Sequence, residues 1–174
     1  MVIRHIFIIL VAALLVRIGN LLLLDTTEAS LLVEDGILYW DSSTALMTQK
    51  FGNLAEITRL VANSERAPGY VIFLAGIRYL FGDSFYTVLI VQSVIDSLTC
   101  VLIASIGAAL PSVQAPRLAL LTGLIAAVTP NFIIHGAMFL SDTLFLFFSL
   151  QCCRRARDFY EAVEHNGSPS LVWR

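Results

Sequence analysis

The chain has 174 residues, of which 57% are hydrophobic and only 14% charged, with a formal net charge of -2. Soluble domains carry about 25% charged residues, so a mean hydropathy of +0.81 excludes a chain that covers itself in water. The near-neutral balance likewise gives no basic surface for nucleic acid.

The bilayer is the solvent for such a chain, and its spans must be helices or a closed barrel. The apolar runs are long and do not alternate with period two, which predicts an all-α integral membrane protein. The first run, 6–24, is about one membrane thickness. Arg4 and His5 precede it, as in a signal peptide, but the run exceeds a signal h-region and its cleavage pattern near Ala29 is poor. It is expected to be an uncleaved anchor with a cytoplasmic N-terminus.

A polar stretch, 25–84, follows as a long outer loop. Its apolar residues recur at helical spacing, including Leu38, Ala45, Leu46, Leu54, Ile57, Leu60 and Val61. Short juxtamembrane amphipathic helices on the membrane face fit that pattern. The segment from Tyr70 to Phe81 is expected to be another, with Arg78 snorkelling to the interface.

Three further spans are expected: 85–110, 118–134 with Pro130 near its far end, and 143–153, which leaves as the basic, amphipathic "RRARDFYEAVEH". The remainder, 154–174, is a cytoplasmic tail. Four spans put Arg4, Arg117, Arg154, Arg155, Arg157 and Arg174 on one side. The long loop opposes them with eight acids (Asp25, Glu28, Glu34, Asp35, Asp41, Glu56, Glu65, Asp83) against Lys50, Arg59, Arg66 and Arg78. The positive-inside rule then puts both termini in the cytoplasm of an inner or plasma membrane.

Several residues are candidates for chemistry. Glu34, Asp35 and Asp41 are three carboxylates within two helical turns; partly desolvated above a bilayer, one can act as a general base, or all three form a solvated edge. Arg66 precedes the Pro68 corner, and a fixed guanidinium there suits a phosphate or serves as an interfacial anchor. Asp142 opens the last span, where the helix dipole favours an acid and Ser141 can cap; His135 lies seven residues earlier. Arg17 and Asp96 are charges inside spans, at depths differing by roughly 6 Å, and are expected to form a structural ion pair. The three cysteines, Cys100, Cys152 and Cys153, have no metal-ligand spacing with histidine; the adjacent pair fits lipidation or plain apolar filling.

Taken in order, "DGILY", the corner "RAPGY", "FGDS", the Gln-bearing span "VLIVQSVIDSLT", a span with a late proline and "SDTLFLF" resemble the N-terminal part of GT-C glycosyltransferases. The nearest resemblance is to the protein mannosyltransferase-like group, which includes lipid A aminoarabinose transferases. Ala67 and Val71 stand where that group has proline in its corner, and Ser141-Asp142-Thr143 where it has Thr-Glu-Pro.

The resemblance implies an outer loop roofing a site that transfers a sugar, with inversion, from a polyprenyl or dolichyl phosphate carrier. Asp35 matches the family's first-loop acid and is expected to be the base that acts on the acceptor; Arg66 and Asp142 match the corner and the second acid, Asp142 as the other catalytic residue. Arg66, Tyr39, Tyr70 and Glu34 are the substrate-binding candidates. No cofactor is fixed by the motifs, and a divalent metal stays open. Family members carry eight to thirteen spans. The expectation is therefore an N-terminal portion that other spans or a partner membrane protein complete, or, alternatively, a small non-catalytic subunit that uses the same scaffold to bind a partner.

Overall fold

The computed structural model describes residues 3–24, 35–48, 67–109 and 114–165. Among them are seven helices: α1 (Ile3–Leu23), α2 (Asp35–Thr48), α3 (Pro68–Phe81), α4 (Phe85–Ala108), α5 (Ala115–Val128), α6 (Pro130–Gly136) and α7 (Asp142–His165). No strand occurs among the described residues. α1 and α4 are each long and apolar enough to cross a membrane, and α5 with α6 makes a third crossing if the bent pair counts as one.

α4 is the axis of the molecule, with α1, α5 and α7 packed around it. Its buried face is small and polar: Ser93, Asp96, Ser97, Cys100, Ala104 and Gly107. Membrane helices gain little from excluding lipid, so close backbone approach is what holds them. Gly123 of α5 sits where a Cβ would come within 2.6 Å of Ile9 and 2.9 Å of Ala104. The hydroxyls of Ser97 and Thr99 bond back to carbonyls of their own helix, which satisfies them without a partner.

The expected third span is broken rather than straight. α5 and α6 meet at 55°. Pro130 has no N–H to continue the ladder, and the residue before it is pushed extended; Thr129 has ψ 119. The Thr129 hydroxyl takes up the Ile125 carbonyl at 2.7 Å.

The expected last span differs too. α7 runs unbroken from Asp142 to His165, but its apolar part ends at Cys153, about 18 Å at 1.5 Å per residue. That is well short of the roughly 30 Å hydrocarbon core.

α2 and α3 fill the resulting gap. Eleven residues, about 16 Å of helix, separate Phe85 from Asp96 on α4. The turn after α6 comes back at the level of Asp96 and Gln92: a Cβ on Gly136 would lie 3.1 Å from Asp96 Oδ2, and Gln92 bonds Met138. From there Phe139 reaches the first turn of α4, packing edge-on against Phe85 at 5.6 Å. Trp40 of α2 stacks on Phe85 at 4.2 Å and meets Phe139 edge-on at 5.3 Å. Leu46, Tyr70, Leu74, Leu89 and Leu144 complete this outer core.

Arg78 corrects one expectation. It does not snorkel; it is 2% exposed. Its guanidinium lies 3.7 Å over the Trp40 ring, donates to the Trp40 carbonyl at 3.0 Å and to the Ser43 hydroxyl, and pairs with Asp83 at 2.7 Å. A buried guanidinium needs several acceptors, and here α2 supplies two while the turn after α3 supplies the third. That turn needs Gly82, which has φ +98, a region open to glycine at little strain. Arg78→Met is expected to destabilise the α2–α3 pair by about 2–4 kcal/mol, through the lost cation–π contact and orphaned acceptors. Unfolding followed by Trp40 fluorescence checks it, and an unchanged midpoint would show that the pair does not depend on Arg78.

Candidate functional site

The end of the bundle roofed by α2 and α3 gathers most of the candidate residues. Tyr39 and Tyr70 pack edge to face, ring centres 4.7 Å apart, and both are buried. The Tyr39 hydroxyl donates to Ser141 Oγ at 3.3 Å, next to Asp142. The Tyr70 hydroxyl donates to Gln92 Oε1 at 3.2 Å, and Gln92 Nε2 donates to the Met138 carbonyl at 3.2 Å. Burial pushes the Tyr70 phenol well above its ordinary range, with the Gln92 hydrogen bond opposing it only in part. Tyr70 is therefore a neutral donor at any working pH.

This relay joins α3, α4 and the turn that delivers α7. Gln92 was not singled out by sequence as a functional residue, although a glutamine in an apolar span is the signal that marks it. Gln92→Leu keeps the volume but orphans the Tyr70 hydroxyl and the Met138 carbonyl, at about 1–3 kcal/mol each. Adding Tyr70→Phe is expected to recover part of the loss. A double-mutant cycle in unfolding measures the coupling, and strict additivity would dissolve the relay.

Asp142 opens α7, and its carboxylate Oδ2 lies in hydrogen-bond contact with His135 Nδ1 at 3.1 Å. Both side chains are about half exposed, 48% for His135 and 62% for Asp142. Two clefts of about 290 Å³ each flank this pair. One lies between α6 and α7 and is bordered by Asp96, Asn131, Phe132, His135, Asp142 and Phe145. The other runs to the corner before α3, along Ala67, Gly69, Tyr70, Ser141, Asp142 and Phe148. Asp142 and Phe145 border both. His135 is thus brought to the acid, as an i to i+7 spacing across a turn permits and does not require.

Asp35 is the first residue of α2, half-buried, one helical turn before Tyr39. It borders neither of the two clefts. Asp41, on the same helix, is exposed. Glu34 and Arg66 lie outside the described residues. Arg17 and Asp96 meet deeper in the bundle, Nε to Oδ2 at 2.5 Å, and are 2% and 3% exposed. Arg17 also donates to the carbonyls of Ala13 at 3.1 Å and Ala127 at 3.3 Å, and contacts Cys100 Sγ at 3.3 Å.

Among the described residues no three His, Cys, Asp or Glu side chains are grouped to hold a metal ion. Asp142 and His135 offer two ligands, too few for a cation held by the protein alone. No protein-family model, curated protein or solved structure matches the chain.

Proposed function

We propose that the chain is the N-terminal part of a membrane glycosyltransferase, moving a sugar from a polyprenyl- or dolichyl-phosphate carrier to an acceptor on the outer, periplasmic or lumenal face. The observation that carries the reading is the place of Asp142: an accessible carboxylate, held by His135, at the junction of two clefts. Transfer between two substrates needs a base where they meet, positioned before either arrives. One cleft is walled by Phe132, Phe145 and Leu146 of the bundle, as an isoprenoid requires; the other opens beside the α2–α3 roof, where an acceptor enters from water.

Asp142 is the base in this scheme and Asp35 the second acid, delivered to the same end by α2. Arg66 is the cation for the leaving phosphate, by resemblance. Within the same proposal α7 is a fourth crossing, short at its outer end because α2 and α3 replace that part, and both termini are cytoplasmic.

A photoactivatable polyprenyl phosphate, irradiated with the chain in liposomes, tests the reading. Adducts on Phe132, Phe145 or Leu146, competed by unlabelled polyprenyl phosphate, are expected. Uncompeted or absent labelling there would sink it, and would favour a non-catalytic subunit that presents the same scaffold to a partner membrane protein.

A further inference from the structure

The geometry points to a second lipid site at the opposite end of the molecule: a cleft that holds one anionic phospholipid by its phosphate. The cleft measures about 400 Å³ and lies where the N-terminal part of α1, the C-terminal end of α4 and the charged half of α7 meet. Its walls are Ile6, Val101, Ser105, Arg154, Arg157 and Glu161, with Ala108 and Ala109 at the end of α4.

Three observations select the occupant. The first is depth. Ser105 lies twenty residues from Phe85, about 30 Å along α4, which is one hydrocarbon thickness. The cleft therefore sits at the headgroup level of the leaflet opposite the α2–α3 roof.

The second is polarity along its length. Val101 is one helical turn deeper than Ser105, and with Ile6 it gives an apolar wall for an acyl chain. Arg154, Arg157 and Glu161 succeed one another toward water on α7. That gradient matches a molecule with a tail and a charged head, and not a free ion.

The third is an unmet donor. Arg157 donates through Nη2 to Asp158 Oδ1 at 2.8 Å and lies 3.3 Å from Glu161 Oε1 in ion-pair contact, but its Nε has no hydrogen-bond acceptor. Arg154 reaches Asp158 only at 4.0 Å. Two guanidinium forks with spare donors suit the oxygens of a phosphodiester, and basic pockets between membrane helices hold such headgroups. Glu161 at the outer rim accepts a hydroxyl of the headgroup, which favours a glycerol head.

The same arginines also complement the dipole at the C-terminus of α4. That role alone predicts a stability loss that ignores lipid charge, so the two explanations separate.

The test is native mass spectrometry of the purified chain, released from detergent after incubation with equal amounts of phosphatidylglycerol and phosphatidylcholine. One phosphatidylglycerol is expected to be retained in preference. Arg154→Gln with Arg157→Gln should lower its retention roughly tenfold, while Arg155→Gln, exposed and outside the cleft, should not change it. Soluble glycerol phosphate should fail to displace the lipid, because it lacks the tail.

If the glutamine pair does not fold, the Arg154→Lys and Arg157→Lys pair keeps the charge without the fork, and a several-fold loss is still expected. Equal retention of the two lipids by the unaltered chain overturns the proposal. So does undiminished retention by whichever pair folds, or displacement of the lipid by glycerol phosphate.

Discussion

Truncating Arg17 alone is expected to destabilise the bundle by about 3–5 kcal/mol, because it leaves the Asp96 carboxylate buried and unpaired. Asp96→Leu alone should do the same, orphaning a guanidinium that is 2% exposed. Replacing both, as Arg17→Met with Asp96→Leu, should recover much of the loss, since an apolar pair of similar volume carries no desolvation penalty. The recovery will be incomplete. Arg17 also serves the carbonyls of Ala13 and Ala127, and so ties α1 to α5 as well as to α4. Unfolding in mixed micelles across the four variants gives the coupling energy. Independent effects of the two single changes would mean that the 2.5 Å contact contributes nothing to stability.

The second large effect is on chemistry. Asp142→Asn should lower sugar transfer from a labelled polyprenyl-phosphate donor by about 10²–10⁴-fold, the usual contribution of a general base. Donor labelling and helix content should be little changed, because the amide is isosteric and the side chain is largely exposed. His135→Gln should have a smaller effect of the same kind, since it orients the acid and is not itself required to take the proton. Asp35→Asn is the informative comparison. If it falls by that factor while Asp142→Asn stays within a few-fold, the base is Asp35, as the resemblance of "DGILY" implies. If neither variant falls, the glycosyltransferase reading fails at this end of the molecule whatever the carrier binding shows.

Class, helix positions and the charges that need partners were legible in the chain itself. Two runs, 6–24 and 85–110, are apolar over a membrane thickness, and they are α1 and α4 to within a few residues. Arg17 and Asp96 are conspicuous in sequence because lipid offers a charge nothing, so each needs a partner inside the protein. The corner at Pro68 and the break at Pro130 are also local. Proline removes a donor and sets the residue before it extended, wherever the rest of the chain lies.

What the tertiary structure alone decided are the matters that depend on which helices stop short. Arg78 reads as an interfacial snorkeller from its own neighbours. It is buried because α2 brings Trp40 and Ser43, 38 and 35 residues earlier, over it. The long loop reads as a covering layer, yet α2 packs into the core itself: Trp40 meets both Phe85 at the start of α4 and Phe139 in the turn after α6. His135 meets Asp142 because the turn between them is set by Gln92 and Tyr70 from other helices. Periodicity and propensity are properties of ten or twenty consecutive residues. A site made by a broken helix, a short helix and a roof from elsewhere in the chain depends on contacts far apart in sequence, which no local pattern encodes.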